Sequence, residues 1–430
     1  MSNIWTFLRE KIVSHGDKLA LVCGERKLTY SDLIRAVDLY ITPGERSIVV
    51  ADSPDKMENA LTILRALAGG HIAVPLNREY GELYCERIHK RLVDISSPID
   101  EDIALIMFTS GSSGAPKGVL LSHENIISNL LAIDKYFNIN KSDRILIARP
   151  LMHAAVLVGE FFISLYKGST IFLYTETLVP QRVVSYLERK NITVMCGTPT
   201  LFSLLCRSVR GKKSPLRAIA VSGEILSEAV AEEMAKAFSE AEIYSVYGLT
   251  EAGPRVSYLP PDKFRDKPGS IGRPIDGVET KIVLPNGEKT PDCYHGRLFV
   301  KSPSIMRGYL ENAELTARKI KDGWLDTGDI ARVDTDGNLN IHGRADNMFI
   351  RGGMNIYPEE VENILLQNPR VTAALCYAEG DRLAVKLVGE LTASEAREAV
   401  KILPNFMRPS SVEVVESLPS TASGKKKRFP

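Results

Sequence analysis

The 430-residue chain lacks an apolar run long enough to cross a bilayer. Its most apolar region, Ile145 to Tyr174, is broken by Arg149, His153, Glu160 and Lys167. That interruption argues against a transmembrane span and against stable membrane association. The chain also lacks an excess of either charge: 54 basic residues face 53 acidic ones, for a formal net charge of +1. No global field therefore draws nucleic acid or an anionic surface. Paired cysteines are missing too. Cys23, Cys85, Cys196, Cys206, Cys293 and Cys376 are scattered without CxxC spacing, which disfavours zinc and disulfide frameworks and suits reduced thiols in a cytoplasmic protein. The N-terminal residues carry charges and no apolar segment with a cleavage site, so no secretory signal is expected. Internal repeats and long low-complexity stretches are absent as well.

What is present is a chain with 44% apolar residues, enough to bury more than one core. Strand-like runs alternate with amphipathic helical stretches up to about residue 260: Ser47 to Ala51 before Lys56 to Ala68, Ile145 to Ala148 before Ala154 to Tyr166, Thr193 to Cys196 before Thr200 to Arg207, and Leu216 to Ser222 before Ser227 to Phe238. This alternation predicts an α/β fold with layered, largely parallel sheets. From about 269 to 341 short strands and turn signals predict a β-rich subdomain. After Arg344 the pattern predicts a small α+β unit: a hairpin at Arg351-Gly352-Gly353, a helix from Pro358 to Gln367, two strands, a further helix and an exposed end. The expected division is 1–345 and 346–430, with the boundary near Asp346.

One stretch carries chemistry in its composition. Thr109, Ser110, Gly111, Ser112, Ser113 and Gly114, followed by Lys117, come directly after the apolar run Ile103 to Phe108. Close-spaced glycines let backbone N–H groups converge on an anion, hydroxyls add donors, and the lysine adds charge, so ATP is the first ligand to consider. The loop is not a Walker motif, because Lys117 is followed by Gly118 and not by a magnesium-binding hydroxyl. Taken alone, such a run is more often a flexible turn.

Four further segments change that balance. YGLTE ends at Glu251, GWLDTGD at Asp329, GRADNMFIRGGMNIYPEEVE at Glu362 and LPSTASGK at Lys425, all after the loop and in that order. Over more than three hundred residues, this set resembles the adenylate-forming superfamily of acyl-CoA synthetases, aryl acid-AMP ligases and peptide-synthetase adenylation domains. The resemblance implies ATP and Mg2+ as cofactors. It gives the loop and Lys117 the phosphates, Glu251 the metal, and Thr250 the α-phosphate. Tyr247 and Gly248, with Ser222, Gly223 and Glu224, would form the adenine slot, Ser245 taking a place where many relatives have Asn or Asp. Asp329 would hold the ribose hydroxyls beside Arg344. Lys425 would be the catalytic lysine of a mobile domain that turns about Asp346, and the Gly352-Gly353 turn would line the thiol channel. A non-catalytic nucleotide-binding regulator is the competing class, and the joint presence of these residues speaks against it.

The acid is less marked. His153 matches the carboxylate gate of the resembled family, though a lone His after a strand is also an ordinary structural residue. Ala154, Val158, Gly223, Val246 and Gly248 complete the expected pocket. No acid occurs between Ala148 and Gly159 to pair with an α-ammonium, which disfavours amino acids and suits a neutral aryl acid such as a hydroxybenzoate. The expected reaction is acyl-AMP formation with release of pyrophosphate, then transfer to the phosphopantetheine of a carrier protein, with coenzyme A as the alternative acceptor. His123 follows Ser122 at a helix start and reads as capping chemistry.

Overall fold

The computed structural model describes residues 3–41, 45–109, 116–209, 213–284, 295–351, 354–379 and 382–419. Its largest sheet has nine strands, running in space Arg273–Pro274, Arg255–Leu259, Glu242–Gly248, Ala218–Val221, Val194–Gly197, Arg144–Ile147, Thr170–Leu173, Leu19–Cys23 and Arg26–Thr29. The six strands from Glu242–Gly248 to Leu19–Cys23 are mutually parallel, and the outer ones are antiparallel. Short, nearly continuous apolar runs suit such buried strands, because both faces are covered.

Alternation along each strand decides which core a side chain joins. Ile145 and Ile147 enter a core shared with the second sheet, whereas Leu146 joins the core on the opposite face. The helices Ile4–Ile12, Lys56–Ala68 and His123–Tyr136 contribute to the first core. Pro180–Arg189, Pro199–Val209 and Glu228–Ala237 cover the other face. Asp55 starts the helix Lys56–Ala68 by accepting from the backbone N–H of Met57 and Glu58.

The second sheet orders Gly308–Tyr309, Lys117–Ser122, Ile103–Thr109, Ile72–Pro75 and Ile48–Ala51. The third contains Glu279–Val283, Gly296–Lys301, Trp324–Val333 and Ile320–Lys321, with Leu339–Arg344 also paired to Trp324–Val333. The region 269–341 is thus not one β unit. Arg273–Pro274 extends the nine-stranded sheet, Gly308–Tyr309 extends the second, and the helix Ala313–Lys319 intervenes. Pairing with strands far away in sequence decides those memberships, and local turn signals carry no trace of them.

The C-terminal domain has its own core, around Val361, Ala374, Val385 and Leu403. Its sheet has three strands where two were expected: Val371–Glu379 and Arg382–Gly389 form a hairpin, and Ser411–Val414 runs parallel to the second. The added strand shows only a weak Val412 and Val414 alternation, too short to stand out so soon after Pro409. The helix Pro358–Leu365 ends two residues earlier than expected.

Candidate nucleotide and acyl site

Thr109 and Lys117 face each other in register, so the Gly/Ser run connects two antiparallel strands. Ser110, Gly111, Ser112, Ser113 and Gly114 themselves lie outside the described residues, as do Gly352, Gly353 and Lys425. Lys117 opens the second strand, a placement that fixes its backbone by ladder bonds.

The YGLTE segment leaves the strand Glu242–Gly248 and turns sharply. A Cβ at Gly248 would lie 1.9 Å from the Pro254 carbonyl oxygen, so only glycine lets the two backbones approach this closely. Leu249 N–H donates to that same oxygen at 2.9 Å. Thr250 and Glu251 occupy one 3₁₀ turn, closed by Gly253 at φ +78°. Tyr309 donates its hydroxyl to Glu251 Oε1 at 2.9 Å. Since Tyr309 pairs with Val119, this contact sets the acid beside the strand that Lys117 begins. Burial and the Glu251 charge push the Tyr309 phenol up, so it remains a donor.

Asp329 and Arg344 are cross-strand partners, and Arg344 Nη1 reaches Asp329 Oδ1 at 3.2 Å. The Tyr247 hydroxyl donates to the other oxygen, Oδ2. Burial raises the Asp329 carboxyl, with Arg344 and Tyr247 opposing the rise. The Tyr247 phenol is held well above its ordinary value by burial and by Asp329. Arg344 also donates to the Thr327 carbonyl at 3.1 Å and lies 3.4 Å from Asp346. Tyr247, Asp329 and Arg344 are therefore one connected group, in which the tyrosine contributes a hydrogen bond as well as a ring.

Ser245 is buried within the same strand as Tyr247, paired with Val221 just before Ser222. Gly223 adopts φ +97°, a left-handed turn that brings backbone to the strand ends. The Glu224 carboxylate accepts from Thr200 N–H and its hydroxyl, at 3.2 and 2.6 Å, so it serves the start of a helix.

On the acyl side, His153 precedes the short helix Ala154–Val156, and its carbonyl accepts from Val156 and Leu157 N–H. Residues Leu157–Phe162 continue as a π-helix, a form found mostly as single turns inside α-helices and frequently at functional sites. Ala154, Val158 and Val246 pack into the main core. The neutral lining expected from Ala148 to Gly159 does not extend further. Glu160, one position beyond that window, is buried and pairs with Arg149 at 2.6 Å. Arg255, 2% exposed, lies against Gly159 and donates to its carbonyl from Nη2 at 3.3 Å. Asn129 holds the Arg255 backbone on both sides, at 3.0 and 2.9 Å. No sequence signal marked Tyr309, Glu160 or Arg255, since each partner is remote or lies outside a motif.

An α/β domain in which the Tyr247–Asp329–Arg344 group and the Glu251–Tyr309 pair adjoin the end of one parallel strand, followed by a small α+β domain, fits the adenylate-forming class that the motifs resemble. The chain belongs to the family of AMP-binding enzymes: the family model described as "AMP-binding enzyme" matches residues 48–310, and that of the "AMP-binding enzyme C-terminal domain" matches 360–425. It is 33% identical over 383 residues to a feruloyl-CoA synthase of Amycolatopsis sp, covering 86% of this chain and 76% of that one. It is 30% identical over 342 residues to a 2-succinylbenzoate--CoA ligase of Bacillus licheniformis, covering 78% and 70%. Its fold matches that of an O-succinylbenzoate coenzyme A synthetase from Bacillus subtilis, solved in complex with ATP and magnesium ion, with a TM-score of 0.84, 24% identity and coverage of 99% and 98%. The chain is thus a ligase of the adenylate-forming class. The regulator reading is set aside. Among the described residues no helix is long and apolar enough to cross a membrane.

Proposed function

We propose that the protein activates an aryl carboxylic acid with ATP and passes the acyl group to the thiol of coenzyme A. The observation that carries the ATP half is that Tyr247 and Glu251, at the carboxyl end of the parallel strand Glu242–Gly248, reach the other two sheets: Tyr247 bonds Asp329, the partner of Arg344, and Glu251 bonds Tyr309, whose strand pairs with the one that Lys117 opens. In an α/β sheet this is where ligands bind. The donor set suits magnesium, which takes one or two carboxylates and keeps several waters: Glu251 is a single carboxylate with one oxygen held by Tyr309. Mg2+, when bound, neutralises charge on the phosphate oxygens.

The chain's own residues position and stabilise. Lys117 takes the β- and γ-phosphates, Asp329 the ribose hydroxyls with Arg344 beside it, Tyr247 an adenine face, and Thr250 the α-phosphate. The carboxylate oxygen of the acid bonds to the α-phosphorus while the bond to pyrophosphate breaks. The acceptor thiol, having lost its proton, then bonds the acyl carbon, and AMP leaves. Lys425 is assigned to the first step and the Gly352-Gly353 turn to the second. Support for coenzyme A and for an aryl acid comes from the relatives named for feruloyl-CoA and 2-succinylbenzoate--CoA chemistry.

The test is pyrophosphate release across aryl, short-chain and amino acids, followed by product analysis with coenzyme A or a phosphopantetheinylated carrier as acceptor. Aryl acids with coenzyme A should give the highest specificity constant. A thioester formed only on the carrier would replace coenzyme A in this assignment, and an amino acid as best substrate would refute the aryl reading. Lys425→Ala should lower acyl-AMP formation by about 100-fold or more while ATP still binds.

A further inference from the structure

At the acyl end of the site, five buried side-chain atoms have no hydrogen-bond partner among the described residues: Arg149 Nε, Glu160 Oε2, Ser222 Oγ, and Arg255 Nε and Nη1. They form one neighbourhood. Arg149 pairs with Glu160, Arg149 Nη1 lies 3.6 Å from where Gly223, next to Ser222, would carry a Cβ, and Arg255 packs on Gly159, next to Glu160. The place of Arg255 depends on glycine, because a Cβ at Gly159 would stand 2.7 Å from Arg255 Nε. The backbone of Arg255 in turn abuts Gly248, whose Cβ would be 3.1 Å from the Arg255 Cα. Arg255 therefore sets its guanidinium against the π-helix that follows His153 and its backbone against the turn that follows Tyr247.

Most buried polar groups in proteins are hydrogen-bonded, so five orphans in one cluster call for an explanation. Charge adds to the demand. Two guanidinium groups share one carboxylate, which leaves a buried positive charge uncompensated, a costly arrangement. The orphans also lean one way: the free groups on Arg149 and Arg255 are donors only, the Ser222 hydroxyl donates or accepts, and Glu160 offers one acceptor oxygen. A group that satisfies them must be rich in acceptors and negative. An α-ammonium would meet Glu160 alone and face both arginines; a purely apolar ring would leave every donor unmet.

We propose that the acid carries a second carboxylate, remote from the one that is activated, and that Arg255 binds it. This rests on the ligase reading above and names its substrate class as dicarboxylic acids. Arg255 and the Ser222 hydroxyl donate to the remote carboxylate, and Glu160 holds Arg149 in place beside them. A guanidinium fork matches a carboxylate in shape as well as charge.

Matched pairs test this with the full-length enzyme: benzoate against benzene-1,3- and benzene-1,4-dicarboxylate, and butanoate against butanedioate. The ratio of kcat/KM for pyrophosphate release, diacid over monoacid, should be about 10-fold or more in the best pair. Arg255→Met should collapse that ratio by a similar factor, and Arg255→Lys should restore part of it. Circular dichroism and ATP binding report whether each variant folds; if Arg255→Met does not, the wild-type ranking and Arg255→Lys still decide. Monoacids preferred throughout the wild-type panel would overturn the proposal, as would a ratio that survives loss of Arg255. Calorimetric titration separates the two readings. Diacid binding that depends on Arg255 without pyrophosphate release would sink the ligase assignment and leave this one standing, whereas release with monoacids only would do the reverse.

Discussion

Tyr309 shows how a single side chain tunes the site. Its phenol stays protonated because burial and the neighbouring Glu251 both oppose ionisation, so it donates steadily to Oε1. Tyr309→Phe removes that donor and leaves the acid free to rotate away from the loop strand. The Mg2+ concentration for half-maximal pyrophosphate release should rise several-fold, with thermal stability falling by about 1 kcal/mol; an unchanged metal titration would separate Tyr309 from the metal assignment. A second residue speaks through pH. His342 stacks on His295 with centroids 3.7 Å apart, and burial, then His295 and Arg332, lower its pKa from 6.5 to about 4. The folded protein therefore keeps this ring neutral where the unfolded chain protonates it. Stability from this source is intact above pH 6.5 and is lost as pH falls towards 4, by about 2 kcal/mol after allowance for the ring's partial exposure. Denaturant unfolding of wild type and His342→Gln across that window should show a flatter profile for the variant. Neither residue announces itself in the sequence, because Tyr309 meets Glu251 across 58 positions and His342 owes its shift first to burial by the tertiary fold and then to His295, 47 positions away in the chain.

Elements were legible where local chemistry writes them. Alternation of apolar runs with amphipathic stretches located four of the parallel strands and their helices, with ends displaced by at most two residues, because frayed termini answer to packing more than to propensity. The YGLTE turn was legible for a related reason: it needs a glycine at a fixed place. Gly248→Ala would press a Cβ against the Pro254 carbonyl oxygen, a backbone atom that cannot rotate aside. We expect a loss of about 2–4 kcal/mol in chemical unfolding, together with loss of ATP binding. Alanine at Gly24, whose Cβ position has nothing within 4 Å, should cost only about 1 kcal/mol for its φ of +59°. Comparable losses at both positions would mean that the close approach is not what constrains Gly248. Sheet membership was not legible. Gly308–Tyr309 and Ser411–Val414 are strands by virtue of distant partners, and the buried Glu160–Arg149 pair has its acid one residue past the window in which an acid was sought.

At the scale of the whole molecule, the stretch around Asp346 connects the last strand of the N-terminal sheet to the helix Pro358–Leu365. Gly343 closes the last N-terminal sheet against the C-terminal helix Pro358–Leu365: a Cβ there would lie 2.5 Å from Glu359 Oε2, and Asn347 donates to Glu359 Oε1 at 2.9 Å. Between these contacts stand Arg344, tied to Asp329, and Asp346, exposed in a single 3₁₀ turn. A rotation of the C-terminal domain must be absorbed here, since the strand before is locked in a ladder and the helix after packs Val361 and Leu365 into its own domain's core. Proline at position 346 would fix one of the two soft backbone dihedrals that such a rotation uses. If the two half-reactions need two domain orientations, Asp346→Pro should slow them unequally, retaining the step served by the orientation it preserves and lowering the other by about 10-fold or more. Pyrophosphate release in the absence of thiol measures the first step, and thioester formation from isolated acyl-AMP measures the second. Equal loss in both, or none in either, would show that the domain does not turn about Asp346.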